Sequence, residues 1–548
     1  MLLNRNNFQF CKYAIRRLST KLPSFKVLDG SIDSQSSEFR TSVEKSNRIH
    51  LCLKSVQDMA LAGGSEKAIK KHVNVKKKLL IRHRLQKLFD PESPFLEIGL
   101  LAGLGMDYGN ISAAGLVVAI GQIHGHYCLA GGSDATVKGG TFFPIGVEKN
   151  IRSQKICSIN RIPGVILIDS GGAFLPLQSE VFPDRDHGGR TFRNEAVGSA
   201  KGIPQIAIVC GSSTAGGAYA PTMAEEAIIV DRIGTIFLGG PPLVKAATGE
   251  VVTEEELGGA DLHCRVSGCT DYFAETEDEA IEMCRESILT FNLEKFAPPP
   301  EYLEPVYSAA ELNGIAGKNI IGKSDMFAVI IISRIVDGSG FKEFKSKFGS
   351  HLITGFAFLK GYLIGLLANS GPITSADAQK GAHFIHLCQK RLIPMIFLQN
   401  SGIPEKLDYN LQGNILKDRA KMIAAHSCAN VPKITINVGG CHSDENFTMC
   451  GWTFKPNFLF SWPLAETQFD EKLEQGGFDI ARADEDSLLL QMFENKGSAL
   501  YRSSRMLQDG IILPEDTRKT LGLCLDIIHS GISAKERWET KNLPIFRM

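Results

Sequence analysis

The chain lacks two features that would point to common classes of protein. Its 548 residues carry no net charge, because Lys+Arg 60 is matched by Asp+Glu 60. A nucleic-acid-binding protein normally shows a basic surplus. No segment reaches the ~18–20 uninterrupted apolar residues that a membrane-spanning helix needs, since the longest run, Phe327 to Val336, is broken by Ser333 and Arg334. The sequence therefore predicts neither a nucleic-acid partner nor a membrane span.

Paired cysteines are also missing. The 13 cysteines stand singly, and none has a partner at C-x-x-C spacing. In a chain of this length the pattern is typical of reduced thiols and argues against a disulfide framework or a zinc ribbon. The pairs His263-Cys264 and Cys441-His442 lack the ligand spacing that a metal requires. No metal site is predicted.

What the chain does have is the length and composition of a globular protein with more than one domain. Hydrophobic residues make up 43% and charged residues 22%, and 548 residues exceed the ~100–200 residues of an ordinary domain. Short Val/Ile/Leu runs such as Val165–Ile168 and Ile206–Val209 predict buried strands. The helical stretches between them predict βαβ units and an α/β fold.

The amino terminus is basic and free of acidic residues before Asp29. It includes Arg16-Arg17-Leu-Ser-Thr and has no long apolar core. This composition predicts a mitochondrial transit peptide, taken here as residues 1–25, and the alternative is a disordered basic tail. A second basic stretch, Lys67 to Arg84, is interpreted as a solvated helix face.

An internal duplication divides the rest of the chain. The segment Ile162–Gly172 parallels Ile393–Ile403, and in each half a second proline-started run, at Pro204 or Pro432, follows at nearly equal spacing. Two ordered matches of this kind predict two copies of one α/β domain. A proline-rich linker at 298–305 cannot continue a helix or central strand. It is predicted to separate an N-terminal domain, 26–297, from a C-terminal domain, 306–548.

Two glycine-rich loops follow neighbouring predicted strands in the first half. They are Asp169–Ala173 and Gly211–Tyr219. Ligands bind beyond the carboxyl ends of strands in open α/β sheets, and converging backbone N–H groups there form an oxyanion hole. The alternative is a pair of tight strand–helix turns. A serine hydrolase is not favoured, because Gly211–Ala215 lacks the last glycine of the nucleophile elbow. Lys138-Gly139-Gly140 suits a phosphate-bearing ligand.

These motifs resemble those of the carboxyltransferase (beta) subunits of biotin-dependent acyl-CoA carboxylases, from about residue 60 to the C-terminus. Within that family the methylcrotonoyl-CoA type is most similar. The motifs that carry the resemblance are Asp134–Gly140, Phe182–His187, Ser213–Tyr219, Gly234–Glu250 and Leu257–Cys264. The resemblance implies two tandem crotonase-like domains. It also implies transfer of a carboxyl group from carboxybiotin to 3-methylcrotonyl-CoA, as in leucine degradation, in the mitochondrial matrix.

The resemblance further implies the cofactor, the partners and the site residues. Biotin is carried by a partner alpha subunit, which also uses ATP and bicarbonate, and the beta chain self-associates. No side-chain base is required, because the proton goes to the ureido nitrogen of biotin and the backbone stabilises the enolate. Carried over by motif, the first oxyanion pocket consists of Gly171, Gly172, Ala173, Gly216 and Gly217. Acyl-CoA binding falls on Lys138, Gly139, Gly140, Thr214 and Ala215.

The second, biotin-side pocket departs from the family pattern. The loop after Gly439-Gly440 carries Asp444 and Glu445 where the internal repeat has Gly216 and Gly217, and the partner loop reads Gly402-Ile403-Pro-Glu-Lys. Carboxylates in a partly desolvated oxyanion site are adverse, and loss of one oxyanion donor typically costs ~10²–10³ in rate. We hypothesise that the acyl-CoA half is intact and the biotin half degenerate.

Three functions therefore stay open at this point. The first is an active methylcrotonoyl-CoA carboxylase beta-type subunit. The second is a catalytically impaired paralogue that binds acyl-CoA or assembles with carboxylase subunits. The third is a crotonase-type acyl-CoA enzyme without biotin, which is least favoured because such chemistry usually requires a placed Glu or Asp base.

Overall fold

The fold contains two sheets that follow one another along the chain. The computed structural model describes residues 24–293, 296–299, 301–316, 327–400, 412–440, 445–454, 456–464, 484–538 and 545. The transit peptide predicted for 1–25 lies outside the described residues except for its last two positions.

The first sheet has the order β1-β2-β3-β4-β5-β6-β8, with β7 paired to β5. Its strands are β1 (Leu96–Glu97), β2 (Leu116–Ile123), β3 (His126–Ser133), β4 (Gly164–Ser170), β5 (Gln205–Thr214), β6 (Glu226–Val230), β7 (Thr235–Phe237) and β8 (Tyr272–Ala274). β2 and β3 form an antiparallel hairpin, and from β3 to β8 the strands run parallel. The predicted runs Val165–Ile168 and Ile206–Val209 lie within β4 and β5.

The second sheet repeats this order as β9-β10-β11-β12-β13-β14-β15. Its strands are β9 (Phe341–Glu343), β10 (Leu352–Leu359), β11 (Tyr362–Asn369), β12 (Met395–Gln399), β13 (Lys433–Asn437), β14 (Phe458–Ser461) and β15 (Gly510–Ile511). An antiparallel hairpin, β10–β11, again precedes parallel strands. The predicted tandem α/β architecture is confirmed.

Helices cover both sheets. Those before the second sheet are α1 (Ser37–Leu61), α2 (Glu66–Lys70), α3 (Ile81–Leu88), α4 (Pro144–Asn160), α5 (Gln178–Val181), α6 (Gly189–Ala200), α7 (Tyr219–Met223), α8 (Pro241–Thr248), α9 (Glu254–Gly258), α10 (Ala260–Leu262), α11 (Glu277–Thr290), α12 (Leu312–Ile315) and α13 (Phe327–Ile335). Those after it begins are α14 (Ser375–Arg391), α15 (Gln412–Cys428), α16 (Glu445–Thr448), α17 (Glu485–Glu494), α18 (Ala499–Ser504) and α19 (Thr517–Trp538). Within the described ranges, none of the helices is both long and apolar enough to cross a membrane.

The prolines that revealed the duplication occupy equivalent hydrogen-bond positions. The carbonyls of Pro163 and Pro394 each accept a hydrogen bond of 2.9 Å from the neighbouring strand, from Leu129 and Gly365 respectively. Pro204 and Pro432 do the same one strand further on, each at 2.9 Å. Proline has no N–H, so it is tolerated at a strand's first position, where its carbonyl is the group required.

The ends of the described chain connect the two halves. In α1, Ser46 Oγ donates to the carbonyl of Asn313 at 2.6 Å, and Leu53 shares a core cluster with Leu488. At the other end, α19 packs on β3 and α4 of the first half. The boundaries predicted at 297 and 305 stay a prediction.

Candidate functional site

The predicted first pocket lies where β4 and β5 end side by side. The strands pair in parallel, and Ser170 is opposite Ser213 at their carboxyl ends. The loop after β4 contains Gly172 with φ +89°, a conformation that suits glycine, and a Cβ there would lie 3.7 Å from the carbonyl oxygen of Thr214. The two loops are therefore in contact range.

The glycine loop at 138–140 joins them from β3. The carbonyl of Gly139 accepts from the N–H of Gly171 at 3.3 Å, and the carbonyl of Gly140 accepts from Ser170 Oγ at 2.7 Å. Gly140 has no room for a side chain, since a Cβ there would overlap the carbonyl of Asp169. The structure thus brings the predicted acyl-CoA-binding loop and the predicted oxyanion loop to one edge of the sheet.

The five predicted pocket residues differ in what their N–H groups do. Gly171 donates to Gly139, and Gly172 donates to Ser170 Oγ at 3.1 Å. Ala173 donates no hydrogen bond to any described residue. Ala173 therefore differs from Gly171 and Gly172, whose N–H groups are used within the loop.

The backbone at 215–217 has the shape of an anion-binding nest. Ala215 has φ 55° and is the first residue of a short 3₁₀ helix, Ala215–Ala218, that leads into α7. A left-handed residue followed by helical ones makes successive N–H groups converge. The first N–H groups of a helix have no partner within it, so Gly216 presents a free donor, while a Cβ on Gly217 would meet nothing within 4 Å. Thr214 and Ala215, predicted to contact acyl-CoA, flank this donor.

A buried charge network lies beneath these loops, and the sequence did not reveal it. Lys78 Nζ lies 3.1 Å and Arg84 Nη2 lies 3.4 Å from the Asp169 carboxylate. Arg84 Nε also contacts Glu277 at 2.5 Å. Burial opposes the charge of Arg84, but the neighbouring Cys210, Glu277 and Asp169 keep the pKa of its guanidinium above the usual value. Both carboxylate oxygens of Asp169 therefore have a cationic partner.

Cys210, whose carbonyl accepts from Arg84 Nη2 at 3.1 Å, has a buried thiol that donates to the Ile168 carbonyl at 3.5 Å. Burial raises the pKa of Cys210 to about 12, so the thiolate that a nucleophile needs is not formed. The described residues bring together no group of three or more His, Cys, Asp or Glu side chains able to hold a metal ion. The donors that the described pocket loops offer are backbone N–H groups.

In the second half, the two central strands end side by side as in the first half, but they carry different residue types at their ends. Where β4 and β5 carry Ile168 and Val209, the equivalent positions of β12 and β13 carry Gln399 and Asn437, which are fully buried. In the orientation that satisfies its neighbours, the Asn437 amide donates to Gln399 at 2.9 Å and accepts from Arg502 at 2.6 Å. A polar network replaces an apolar sheet face.

The predicted second pocket falls mostly beyond the described chain. Gly402, Ile403 and Asp444 lie outside the described residues, and Glu445 begins α16. At the described ends of these two loops, the side-chain oxygen of Asn400 accepts from the N–H of Gly440 at 3.1 Å. The degenerate character of this pocket stays a prediction from the sequence.

Comparison with known proteins gives consistent matches. The family described as the carboxyl transferase domain matches residues 72–542. The methylcrotonoyl-CoA carboxylase beta chain, mitochondrial, of Dictyostelium discoideum is 46% identical over 530 residues, covering 92% of this chain and 89% of that protein. The biotin-dependent 3-methylcrotonyl-coenzyme A carboxylase beta1 subunit of Mycobacterium tuberculosis is 46% identical over 492 residues, covering 85% and 92%.

A solved structure extends the match to the fold. The beta subunit of geranyl-CoA carboxylase from P. aeruginosa superposes with a TM-score of 0.82 at 33% identity, covering 93% of this chain and 98% of that one. The predicted crotonase-like two-domain fold is confirmed.

Proposed function

We propose a function from one premise: the chain belongs to the carboxyl transferase family, whose match spans residues 72–542. It is the beta subunit of a biotin-dependent acyl-CoA carboxylase, a ligase, and transfers a carboxyl group to 3-methylcrotonyl-CoA. The observation that carries this proposal is the 46% identity over 92% of the chain to a methylcrotonoyl-CoA carboxylase beta chain. That similarity does not favour the impaired-paralogue alternative.

The partners and location follow from the same relatives. Biotin is bound to a partner alpha subunit, which consumes ATP and bicarbonate, and this chain carries none itself. The chain self-associates, and it acts in the mitochondrion, in keeping with the relatives of Dictyostelium discoideum and Drosophila melanogaster whose names carry that location. Within the organelle we place it in the matrix.

The first pocket provides the chemistry for the acyl-CoA side. Removal of a proton from the acyl-CoA places negative charge on the thioester oxygen, and we assign its binding to the N–H groups of Ala173 and Gly216. Fixed donors in a partly desolvated site stabilise developing charge without reorganising. Both residues are half-buried, and the loop 138–140 positions the ligand beside them.

Biotin, when bound, supplies the carboxyl group. The loops predicted to hold it, around Gly402 and Asp444, lie outside the described residues. The part of the reaction that this chain's described residues perform is therefore binding of the thioester and stabilisation of its enolate oxygen. Asp169 contributes indirectly, because it fixes the two loops that carry the donors.

The decisive experiment is reconstitution. The chain is co-purified with its cognate biotinylated alpha subunit and assayed for ATP- and bicarbonate-dependent carboxylation of 3-methylcrotonyl-CoA. We expect turnover at a rate typical of acyl-CoA carboxylases. Binding of the CoA ester without turnover would instead support the paralogue that assembles or binds ligand only, and would assign a functional cost to Asp444 and Glu445.

A further inference from the structure

An exposed cationic segment lies beside the first pocket. We define it as the lysine segment, residues 64–78. Its exposed lysines are Lys67, Lys70, Lys71, Lys76 and Lys77. The segment contains one acidic residue, Glu66, and this pairs with Lys70 at 2.5 Å. We propose that the lysine segment binds the 3′-phosphate and diphosphate of the acyl-CoA, an inference that rests on the acyl-CoA function proposed above.

Both ends of the lysine segment are attached to the loops of the pocket. At its start, the N–H of Gly64 donates to Thr136 Oγ1 at 3.0 Å, two residues before Lys138. Gly64 tolerates no side chain, because a Cβ there would overlap the Thr136 carbonyl. At its end, Lys78 Nζ contacts Asp169 at 3.1 Å, two residues before Gly171. The segment is therefore attached at its start two residues before Lys138 and at its end two residues before Gly171, and its exposed lysines lie between these two attachments.

The backbone that carries these lysines is regular and hydrogen-bonded. α2 continues directly into a π-helix, Lys71–Val75, so Lys67 and Lys71, four residues apart, share a face. A turn then presents Lys76 and Lys77, closed by hydrogen bonds from Lys76 N–H to the Lys71 carbonyl at 3.0 Å and from Lys78 N–H to the His72 carbonyl at 3.2 Å. Lys77 adopts φ 56°, a left-handed conformation that costs a lysine more than it would a glycine.

The charges are available for a ligand. Among the described residues, Lys67, Lys71, Lys76 and Lys77 make no ion pair or side-chain hydrogen bond, and the same holds for Lys138 on the adjoining loop. A solvated face, which the sequence favours, explains their exposure but not the attachment of both ends to the pocket loops. Coenzyme A is a polyanion, and a cleft lined by one sign of charge concentrates such ligands.

The lysine segment also explains how a protein with a net negative charge could bind a polyanionic ligand. Loss of the predicted transit peptide removes Arg5, Lys12, Arg16 and Arg17 and no anion if cleavage falls near residue 20, which leaves the body acidic. The general field of the protein then repels a polyanion, and local cations must supply the attraction.

The test compares charge-reversal variants in the holoenzyme. The variant Lys76→Glu/Lys77→Glu is assayed with 3-methylcrotonyl-CoA and with the corresponding pantetheine ester, which lacks the nucleotide phosphates. The matched control is Lys342→Glu/Lys347→Glu, two exposed lysines in the second half. We expect KM for the CoA ester to rise by about tenfold, because two attractive contacts with phosphate become repulsive, with kcat and the pantetheine KM unchanged. The control should match wild type.

A second measurement separates this proposal from the proposed function. Binding of adenosine 3′,5′-bisphosphate to the beta chain, measured by calorimetry, requires no turnover. We expect the wild type and the control to bind it and Lys76→Glu/Lys77→Glu to lose most of the affinity, with the wild-type affinity falling as salt is added. Equal binding by all three chains, or an equal rise of KM for both esters, would overturn the role of the lysine segment. Absence of carboxylation with binding intact would overturn the proposed function alone.

Discussion

The side chain of Asp169 fills the space beside Gly211, so that a Cβ at position 211 would overlap its carboxylate. The same relationship holds in the second half, where Asn400 fills the space beside Gly439. In each half, a residue at or just after the carboxyl end of one central strand packs against a glycine in, or just after, the next strand. The pocket loops start from this contact, so their spacing depends on it.

Gly211→Ala is the first variant that follows. The added methyl group must displace the Asp169 carboxylate, which forms ion pairs with Lys78 and Arg84. These ion pairs are largely buried, so the displacement is costly. We expect a loss of about 1–3 kcal/mol in the free energy of unfolding, as for other overpacked cores, together with reduced carboxylation. Gly189→Ala serves as the control, since a Cβ there meets nothing within 4 Å. Equal stability of both variants by urea denaturation would contradict the locking role.

Asp169→Asn removes the negative charge of the Asp169 side chain but keeps its size and shape. The change leaves Lys78 without its carboxylate and Arg84 with Glu277 alone. Breaking a buried pair from one side typically costs ~3–5 kcal/mol, and we expect a loss of this order by urea denaturation.

The control for Asp169→Asn is Asp278→Asn, which breaks the exposed pair with Lys87. Exposed pairs contribute about 0–1 kcal/mol. If the two substitutions cost the same, the buried network does not hold the loops.

Gly216→Pro tests the backbone donor directly. Proline removes the N–H that the pocket presents, and we expect kcat for the carboxylation of 3-methylcrotonyl-CoA to fall by ~10²–10³. Gly216→Ala keeps the N–H, and its Cβ would lie 3.6 Å from Phe192 Cζ, an ordinary contact. The alanine variant should therefore retain most of the rate. A rate for the proline variant equal to that of the alanine variant would remove Gly216 from the oxyanion pocket.

Glu195 in α6 gives a prediction on pH. It is buried, and burial raises its pKa from 4.5 to about 8. Between these values the native state holds a proton that the unfolded state has lost, so the free energy of unfolding falls as the pH rises from 4.5 towards 8, by at most ~1.4 kcal/mol per pH unit.

Glu195→Gln removes this titration. Thermal unfolding of both proteins is followed from pH 4.5 to well above pH 8. The variant should gain stability relative to wild type with rising pH, and the difference should level off above the upper value. Parallel curves for the two proteins would show that Glu195 does not titrate in this range.

The sequence predicted the architecture because the features that define it are local. A proline can begin a buried strand only where its carbonyl alone is needed, so Pro163, Pro204, Pro394 and Pro432 mark equivalent strand starts in both halves. The glycine loops followed from the same strands. These signals lie within a few residues of the structure they predict.

The charge network could not be predicted in this way. Arg84 and Glu277 are separated by 193 positions, and neither belongs to a motif. The hydrogen-bond partners of individual N–H groups could not be predicted either, because Gly171, Gly172 and Gly216 are the same residue type in the sequence. Their difference arises from Gly139 and Ser170, which use two of the three donors. Contacts between distant segments decide such details.

The packing of α1 has a consequence for synthesis of the protein. Ser46 and its hydrogen-bond partner, Asn313, are separated by 267 positions of sequence. Leu53, in the same helix, shares a core cluster with Leu488, which is synthesised later still. At ~5–20 residues per second, the ribosome needs tens of seconds to supply the first of these partners. The apolar side of an early helix therefore stays uncovered while most of the chain is still being made, and a chaperone that shields it during translation would prevent aggregation of the nascent protein.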